Sequence, residues 1–217
     1  MDKDDFEKMR MIRLYTVFLF FSSVLHLFSE EQWREVKKRD KVTVYEKEVG
    51  DLNAFRAIGI IEGSPRKLVG IILNESRWKH WIEDLKSVEV LEERSSFEKV
   101  FHQVIDSPFP ASNRDLVFEC KVSRTGSSHI LVEMKSIEHK NAPKSKGVRG
   151  RIIYSRYLIE PLEGNQMKVI FENLSDPLGR LPNFLVNWAS RSYPISLFRG
   201  LRREMTEINQ KEAPLPE

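Results

Sequence analysis

The feature that most constrains the fold of this chain is a series of six strand-like segments between Val88 and Ser175. Each segment is rich in β-branched and aromatic residues, which is typical of β-strands. In chain order the segments are SVEVLEE, FEKVFHQVI, RDLVFECKVS, SHILVEMKSI, GRIIYSRYLIE and QMKVIFENL. Turn sequences at 124–126 and 163–165 separate consecutive segments, so the pattern predicts an antiparallel meander.

Shorter elements precede the meander. KVTVYEKEV and NAFRAIGIIEG lie on either side of a Gly-Asp turn at 50–51 and predict a hairpin. A Ser-Pro pair at 64–65 predicts a helix start, and a second short helix is expected to carry Trp78 and Trp81 on one face. In front of the hairpin, apolar residues three positions apart in SEEQWREVKKRD predict a short amphipathic helix.

The C-terminal segment carries a single apolar stripe at helical spacing. The residues of this stripe are Leu185, Trp188, Phe198, Leu201, Met205 and Ile208. Pro194 lies inside the segment, and we expect it to kink the helix because the stripe continues beyond it. A sheet with one apolar face has to bury that face, and this helix is the only predicted element long enough to cover it. We therefore predict an α+β fold in which a curved antiparallel β-sheet wraps around a long C-terminal α-helix and encloses an internal hydrophobic cavity.

Composition limits the classes of function. A chain of 217 residues with 41% hydrophobic residues is sufficient for one domain. The net charge of +3 comes without a basic stripe, so nucleic acid is not expected as a partner. Cys120 is the only cysteine, which excludes an internal disulfide. No two histidines have the i, i+4 spacing of a metal-binding helix and no dinucleotide fingerprint is present, so we expect neither a metal nor a cofactor.

Residues 1–29 predict a signal peptide or a signal anchor. Two arginines precede an apolar stretch from Leu14 to Phe28, and a polar chain follows, which is the order of a secretory signal. As a helix the stretch would reach about 22 Å, short of the ~30 Å hydrocarbon core, which favours a cleaved signal over an anchor. The alternative is a core helix of a cytosolic domain. We expect a mature domain at 30–217 that is exported, either periplasmic or secreted, or that is held at the membrane by an uncleaved anchor.

Arg114 begins a strand whose inward face is otherwise apolar. Alternation places Arg114 on the same face as Phe118 and Cys120, and Asp115 on the outer face. A buried guanidinium without a partner is costly, so Arg114 requires one. Three roles are open. Arg114 anchors the preceding loop to a carboxylate or to backbone carbonyls, it contacts a bound ligand, or it is an exposed strand end.

Four segments together resemble one known family. FPASNRDLVFECKV resembles the segment of START (StAR-related lipid transfer) domains in which a proline-rich loop and an Arg-Asp pair open the middle strand. WIEDLKSVEVLEE is similar to the tryptophan-led link from helix to sheet in that family. HKNAPKSKGVRGRIIYSRYLIEPL is similar to its loop before a strand, and PNFLVNWASRSYPISLFRGLRRE to its C-terminal helix. The resemblance covers roughly residues 33–208.

The resemblance implies a helix-grip fold that holds one lipid in an apolar tunnel, gated by the C-terminal helix and an adjacent loop, with no chemistry on the ligand. Some sterol-binding members carry a second arginine at the position of Cys120. We therefore expect a phospholipid, a fatty acid or another lipid with an acyl chain as the ligand at least as strongly as we expect a sterol-like ligand. We also expect a monomer that contacts membranes transiently. The basic loop at 140–151 either makes that contact or is simply solvated.

Alternation along the strands and the helix selects the ligand-binding candidates. These are Arg114, Phe118, Cys120, Ile130, Val132, Met134, Tyr154, Arg156, Leu158, Trp188 and Phe198. Ordinary core packing is the alternative for each apolar member. Two other functions stay open. One is an enzyme of the same architecture, a cyclase or hydrolase acting on a hydrophobic small molecule, and the other is a ligand-free interaction module.

Overall fold

The predicted meander is present and belongs to a larger sheet. The computed structural model describes residues 33–126, 128–179, 181, 190–207 and 212–216. The strands are β1 Arg34–Arg39, β2 Val42–Val49, β3 Leu52–Glu62, β4 Leu85–Ser95, β5 Glu98–Ile105, β6 Arg114–Thr125, β7 His129–Ser136, β8 Val148–Arg149, β9 Arg151–Pro161 and β10 Gln166–Asp176. The helices are α1 Pro65–Leu73, a 3-10 helix at Glu75–His80 and α2 Tyr193–Thr206. The predicted signal segment lies outside the described residues.

The sheet joins the N-terminal hairpin to the end of the meander. Its strand order is β1-β2-β3-β10-β9-β7-β6-β5-β4, and neighbours along this path are antiparallel. β10 lies between β3 and β9, so that Phe171 pairs with Ala57 on one side and with Tyr157 on the other. The short β8 pairs with β6 in parallel, off this path. The predicted α+β fold, an antiparallel sheet with a C-terminal helix, is therefore confirmed.

The N-terminal amphipathic helix was predicted wrongly. Arg34–Arg39 is a strand that pairs with β2, with an irregularity between Glu35 and Lys37. Two apolar residues three positions apart are too few to distinguish a helix from a strand. Charged side chains are also common on edge strands, where they discourage pairing with other molecules. Pairing with β2 therefore outweighs the weak local pattern.

Both described α-helices have a proline in their first turn. Ser64 caps α1 as predicted, since its hydroxyl accepts a hydrogen bond from the backbone N–H of Lys67 at 3.1 Å. Residues 190–191 are helical and precede a turn at residue 192, so the kink expected near Pro194 stays a prediction. α2 begins at Tyr193 and carries Pro194 in its first turn. Proline is tolerated there because the first-turn N–H groups have no partner within the helix. Among the described residues, no helix is both long and apolar enough to span a membrane.

Two glycines allow α2 to approach the rest of the domain closely. A Cβ atom on Gly59 of β3 would lie 2.8 Å from the ring of Phe198 on α2. A Cβ atom on Gly200 of α2 would lie 2.5 Å from the carbonyl oxygen of Trp81. Both distances are shorter than a van der Waals contact. The position of α2 on the sheet therefore depends on the absence of a side chain at these two residues.

We predict that Gly200→Ala destabilises the domain. Alanine has the higher helix propensity, by about 1 kcal/mol. The added methyl group would, however, overlap the Trp81 backbone, and overpacking typically costs about 1–3 kcal/mol. Urea denaturation should show a lower free energy of unfolding for Gly200→Ala. Thr206→Ala, at an exposed position of the same helix, serves as the control and should change stability by less than about 0.5 kcal/mol.

Candidate ligand cavity

A cavity of about 240 Å³ lies against one face of the sheet, which we term the inner face. On the sheet side its wall includes Phe118 of β6 and Phe171 of β10. On the other side are Trp78 of the 3-10 helix, Trp81, and Tyr193 at the start of α2. The indole N–H of Trp78 donates to the carbonyl of Ile72 at 2.9 Å, which holds that ring in place. The wall is largely aromatic and aliphatic and is therefore suited to the apolar part of a ligand.

Only some of the predicted ligand-binding residues belong to the wall of this cavity. Phe118 and Met134 are part of its wall. Four others are buried in the core without belonging to the described wall: Cys120, Ile130, Val132 and Phe198. Trp188 lies outside the described residues. A role in ligand binding stays a prediction for all of them.

Cys120 is a packing residue in this arrangement. Its side chain is fully buried, and this burial raises the pKa of the thiol to about 12, although Lys99 acts in the opposite direction. The thiol is therefore protonated at neutral pH. A protonated, inaccessible thiol is a poor nucleophile.

The prediction that Tyr154, Arg156 and Leu158 face the cavity is wrong. From β9 the wall instead includes Ile152, Ser155 and Tyr157, and the three predicted residues lie on the outer face. The sequence GRIIYSRYLIE has large apolar residues in both alternating phases, and alternation alone therefore does not decide which phase is buried. Pairing with β10 decides it. The register shifts between Leu174 and Ser175, which places an additional residue of β9 in the pairing.

On the outer face Arg156 takes part in an ion-pair cluster. Arg156 lies 2.6 Å from one carboxylate oxygen of Glu172, and Arg56 of β3 lies 2.5 Å from the other oxygen. The Arg156 guanidinium is also 5.0 Å from the centre of the Tyr154 ring. This cluster joins β3, β10 and β9 on the side of the sheet opposite the cavity.

Arg114 anchors a loop. Its guanidinium donates hydrogen bonds to the carbonyl of Ser112 in the preceding loop, to that of Pro177 at 3.2 Å and to that of Leu178 at 3.0 Å. Burial lowers the pKa of Arg114. Among the three roles that the sequence left open, these contacts correspond to the loop anchor. Arg114 is not among the described residues of the cavity wall.

Asp115 holds a second polar cluster, on the outer face as the register predicted. One carboxylate oxygen accepts from Nε of Arg149 at 2.6 Å and lies 3.1 Å from Nε2 of His102. The other oxygen accepts from the hydroxyl of Ser145. Burial raises the pKa of Asp115, but these hydrogen bonds outweigh it and leave the pKa below its ordinary value. The loop before β8 is thereby fastened to β6, and Arg149 is engaged within the protein.

Sequence reasoning missed the polar part of the cavity wall. Gln103 of β5, Ser155 of β9, and Asn173 and Ser175 of β10 all belong to it. A signal for Gln103 was present, because Phe101 and Gln103 share one phase of FEKVFHQVI. No such signal existed for Ser155, since its phase depends on the irregular pairing of β9 with β10.

Comparison with known proteins decides the family. A family model described as "START domain" matches residues 25–211. The chain belongs to the START domain family. Mouse phosphatidylcholine transfer protein is 27% identical over 169 residues, which cover 74% of this chain and 77% of the relative. The bovine phosphatidylcholine transfer protein is 25% identical over 190 residues, with 76% of this chain and 88% of the relative covered. At family level these relatives support lipid transfer.

Solved START structures share the fold. Human STARD10 superposes with a TM-score of 0.72 at 18% identity, covering 96% of this chain and 81% of that chain. A STAR-related lipid transfer protein from Xanthomonas axonopodis superposes with a TM-score of 0.70 at 22% identity, covering 81% of this chain and 99% of that one. At these identities the superpositions show the helix-grip fold alone.

We predict that Asp115→Asn destabilises this START domain in a pH-dependent way. Hydrogen bonds to charged groups contribute about 1.5–3 kcal/mol, and the substitution weakens those with Arg149 and Ser145. Because the folded pKa of Asp115 is lowered, its contribution is complete above the unfolded value of about 3.9 and is lost as the pH falls through the folded value. Unfolding free energies of wild type and Asp115→Asn should therefore differ at pH 7, and the difference should shrink progressively as the pH falls below about 4. The exposed Asp51→Asn is the control and should follow the wild type throughout.

Proposed function

We propose that the protein binds one lipid in the cavity beneath α2 and transfers it between membranes without changing it chemically. The observation that carries this proposal is the largely apolar cavity that lies between the inner face and the start of α2. The names of the mouse and bovine relatives support transfer as the activity. Each buried methylene contributes about 0.8 kcal/mol, so shielding an acyl chain supplies affinity without any specific contact.

The size of the cavity implies that the protein opens to load its ligand. Its volume of about 240 Å³ is below the roughly 300–1,000 Å³ of pockets that hold drug-sized molecules. In our proposal α2 acts as the lid. It is held by Arg77, whose guanidinium lies 3.0 Å from the carboxylate of Glu204, and by Arg202, which donates to the carbonyl of Ile60 at 2.9 Å. These contacts have to break or shift when α2 moves away from the sheet.

We propose that a transient contact with membranes accompanies loading. Phe109, in the loop between β5 and β6, is 94% exposed. Lys144 and Lys146 are exposed in the loop before β8. An exposed aromatic ring and exposed lysines are features that favour binding to an anionic membrane surface. The protein would make this contact as a monomer.

Export through the N-terminal segment stays a prediction, because residues 1–29 lie outside the described residues. Sequencing the N-terminus of the protein recovered outside the cytoplasm would test it. A mature chain that begins near residue 30 is the expected result, and a full-length chain found only in the cytoplasm would contradict it.

The experiment that tests lipid transfer fills the cavity. Ser155→Phe places a ring in the cavity and should lower the rate at which the full chain transfers a fluorescent phospholipid or diacylglycerol between vesicles. The loss should be about tenfold or more, equivalent to ~1.4 kcal/mol of binding. Ser123→Phe makes the same change on the outer face of β6 and should transfer at the wild-type rate.

Thermal unfolding of both variants separates loss of transfer from loss of folding. A folded Ser155→Phe variant that transfers each lipid at the wild-type rate would contradict binding in this cavity. Absence of transfer by the wild-type chain with every lipid tested would contradict the proposed activity itself.

A further inference from the structure

The cavity has a polar side built from uncharged groups. Ser155 and Asn173 lie opposite each other in the register of β9 and β10, and both belong to the wall. The hydroxyl of Ser175 donates to Oδ1 of Asn173 at 3.0 Å, which orients that amide and leaves its N–H groups to donate elsewhere. Gln103, on β5, contributes a second amide and is 8% exposed. Amides and hydroxyls therefore face the same space from two parts of the sheet.

Trp81 adds a buried donor. Its ring belongs to the cavity wall and the residue is 3% exposed. In the described part of the chain, its indole N–H has no hydrogen-bond partner. An unpaired buried donor costs about 1–3 kcal/mol. A ligand that brings an oxygen atom to this nitrogen would remove that cost.

The charged groups near the cavity disfavour an anion. Glu83 is a residue of the wall and is itself exposed. Burial raises the pKa of Tyr193 at the start of α2, and the charges of Glu83 and Asp84 raise it further. The guanidinium of Arg114 is engaged by three backbone carbonyls. An anionic group in this cavity would face Glu83 and would meet amides and hydroxyls, which do not neutralise it, and burying such a charge is costly.

We infer that the cavity prefers lipids whose polar group is an uncharged hydroxyl, ester or amide over lipids that carry a carboxylate or a phosphate. This inference rests on the proposed function, since it concerns the same cavity. The apolar wall binds the acyl chain, and the polar side selects the head group.

Three lipids with the same acyl chain test the inference. Monooleoylglycerol, oleate and oleoyl-lysophosphatidylcholine differ only in the head group, which is uncharged, anionic and zwitterionic. Each is titrated into the full chain at pH 8 and followed by the fluorescence of the tryptophans, since Trp78 and Trp81 belong to the cavity wall. Monooleoylglycerol should bind at least about tenfold more tightly than either of the others.

Two substitutions at Gln103 test the polar side directly. Gln103→Leu should weaken binding of monooleoylglycerol by about tenfold and leave oleate unchanged, because only the amide is lost. Gln103→Lys supplies a cation and should shift the preference toward oleate. Gln166→Leu makes the same change as the first variant at an exposed position of β10 and should bind all three lipids as the wild type does. Circular dichroism establishes whether each variant is folded.

The outcomes separate the inference from the proposed function. Oleate or the lysophospholipid binding to the wild type as tightly as monooleoylglycerol would overturn the inference and leave lipid binding intact. Failure of all three lipids to bind, together with absence of transfer, would overturn the proposed function as well. If Gln103→Leu does not fold, the affinities of the wild-type protein for the three lipids test the inference by themselves. A folded Gln103→Leu variant with unchanged affinity for monooleoylglycerol would overturn the assignment of head-group selection to this amide.

Discussion

The close packing of α2 on the inner face is the contact on which the cavity depends. Without it, the inner face of β3, which the ring of Phe198 covers at Gly59, would face water. Gly59 and Gly200 permit that packing, because a Cβ atom on either residue would overlap the Phe198 ring or the Trp81 backbone, respectively. Glu204, on the same helix and 2% exposed at its side chain, pairs with Arg77 and keeps its charge compensated. A helix held in this way covers part of the sheet, and in our proposal these contacts are released when α2 acts as the lid.

The sheet directs its charged side chains away from the cavity. Arg156, Arg56 and Glu172 compensate one another on the outer face, and Asp115 is surrounded by donors on the outer face of β6. Arg114 begins β6 but is engaged by backbone carbonyls. The inner face is therefore left with aromatic rings, aliphatic groups and a few uncharged polar groups. In our proposal such a space shields an acyl chain from water and distinguishes the head group by hydrogen bonding rather than by charge.

Much of the fold could be predicted from the sequence, because alternation and turn residues are local signals. The meander, the β2–β3 hairpin and the Ser64 cap of α1 all follow from neighbouring residues. The site was predicted less well. The predicted phase was correct for β6 and β7, where Phe118 and Met134 belong to the wall, and wrong for β9. Both phases of β9 carry large apolar residues, so the choice between them depends on the irregular pairing with β10. The strand at Arg34–Arg39 was missed because pairing with β2 outweighs a weak helical pattern.

By itself the sequence determined the β2–β3 hairpin, the meander and the helices that precede and follow it, the exclusion of a disulfide and the START resemblance, because these depend on residue types and their spacing along the chain. Only the tertiary structure decided which residues share the cavity. Gln103 and Asn173 come from strands far apart in the chain, and the sheet and α2 bring them to one space. The role of Arg114 was decided in the same way, since two of the carbonyls that engage it follow β10, more than sixty residues away. Contacts of this kind depend on which distant strands and loops the sheet brings together, which no local pattern encodes.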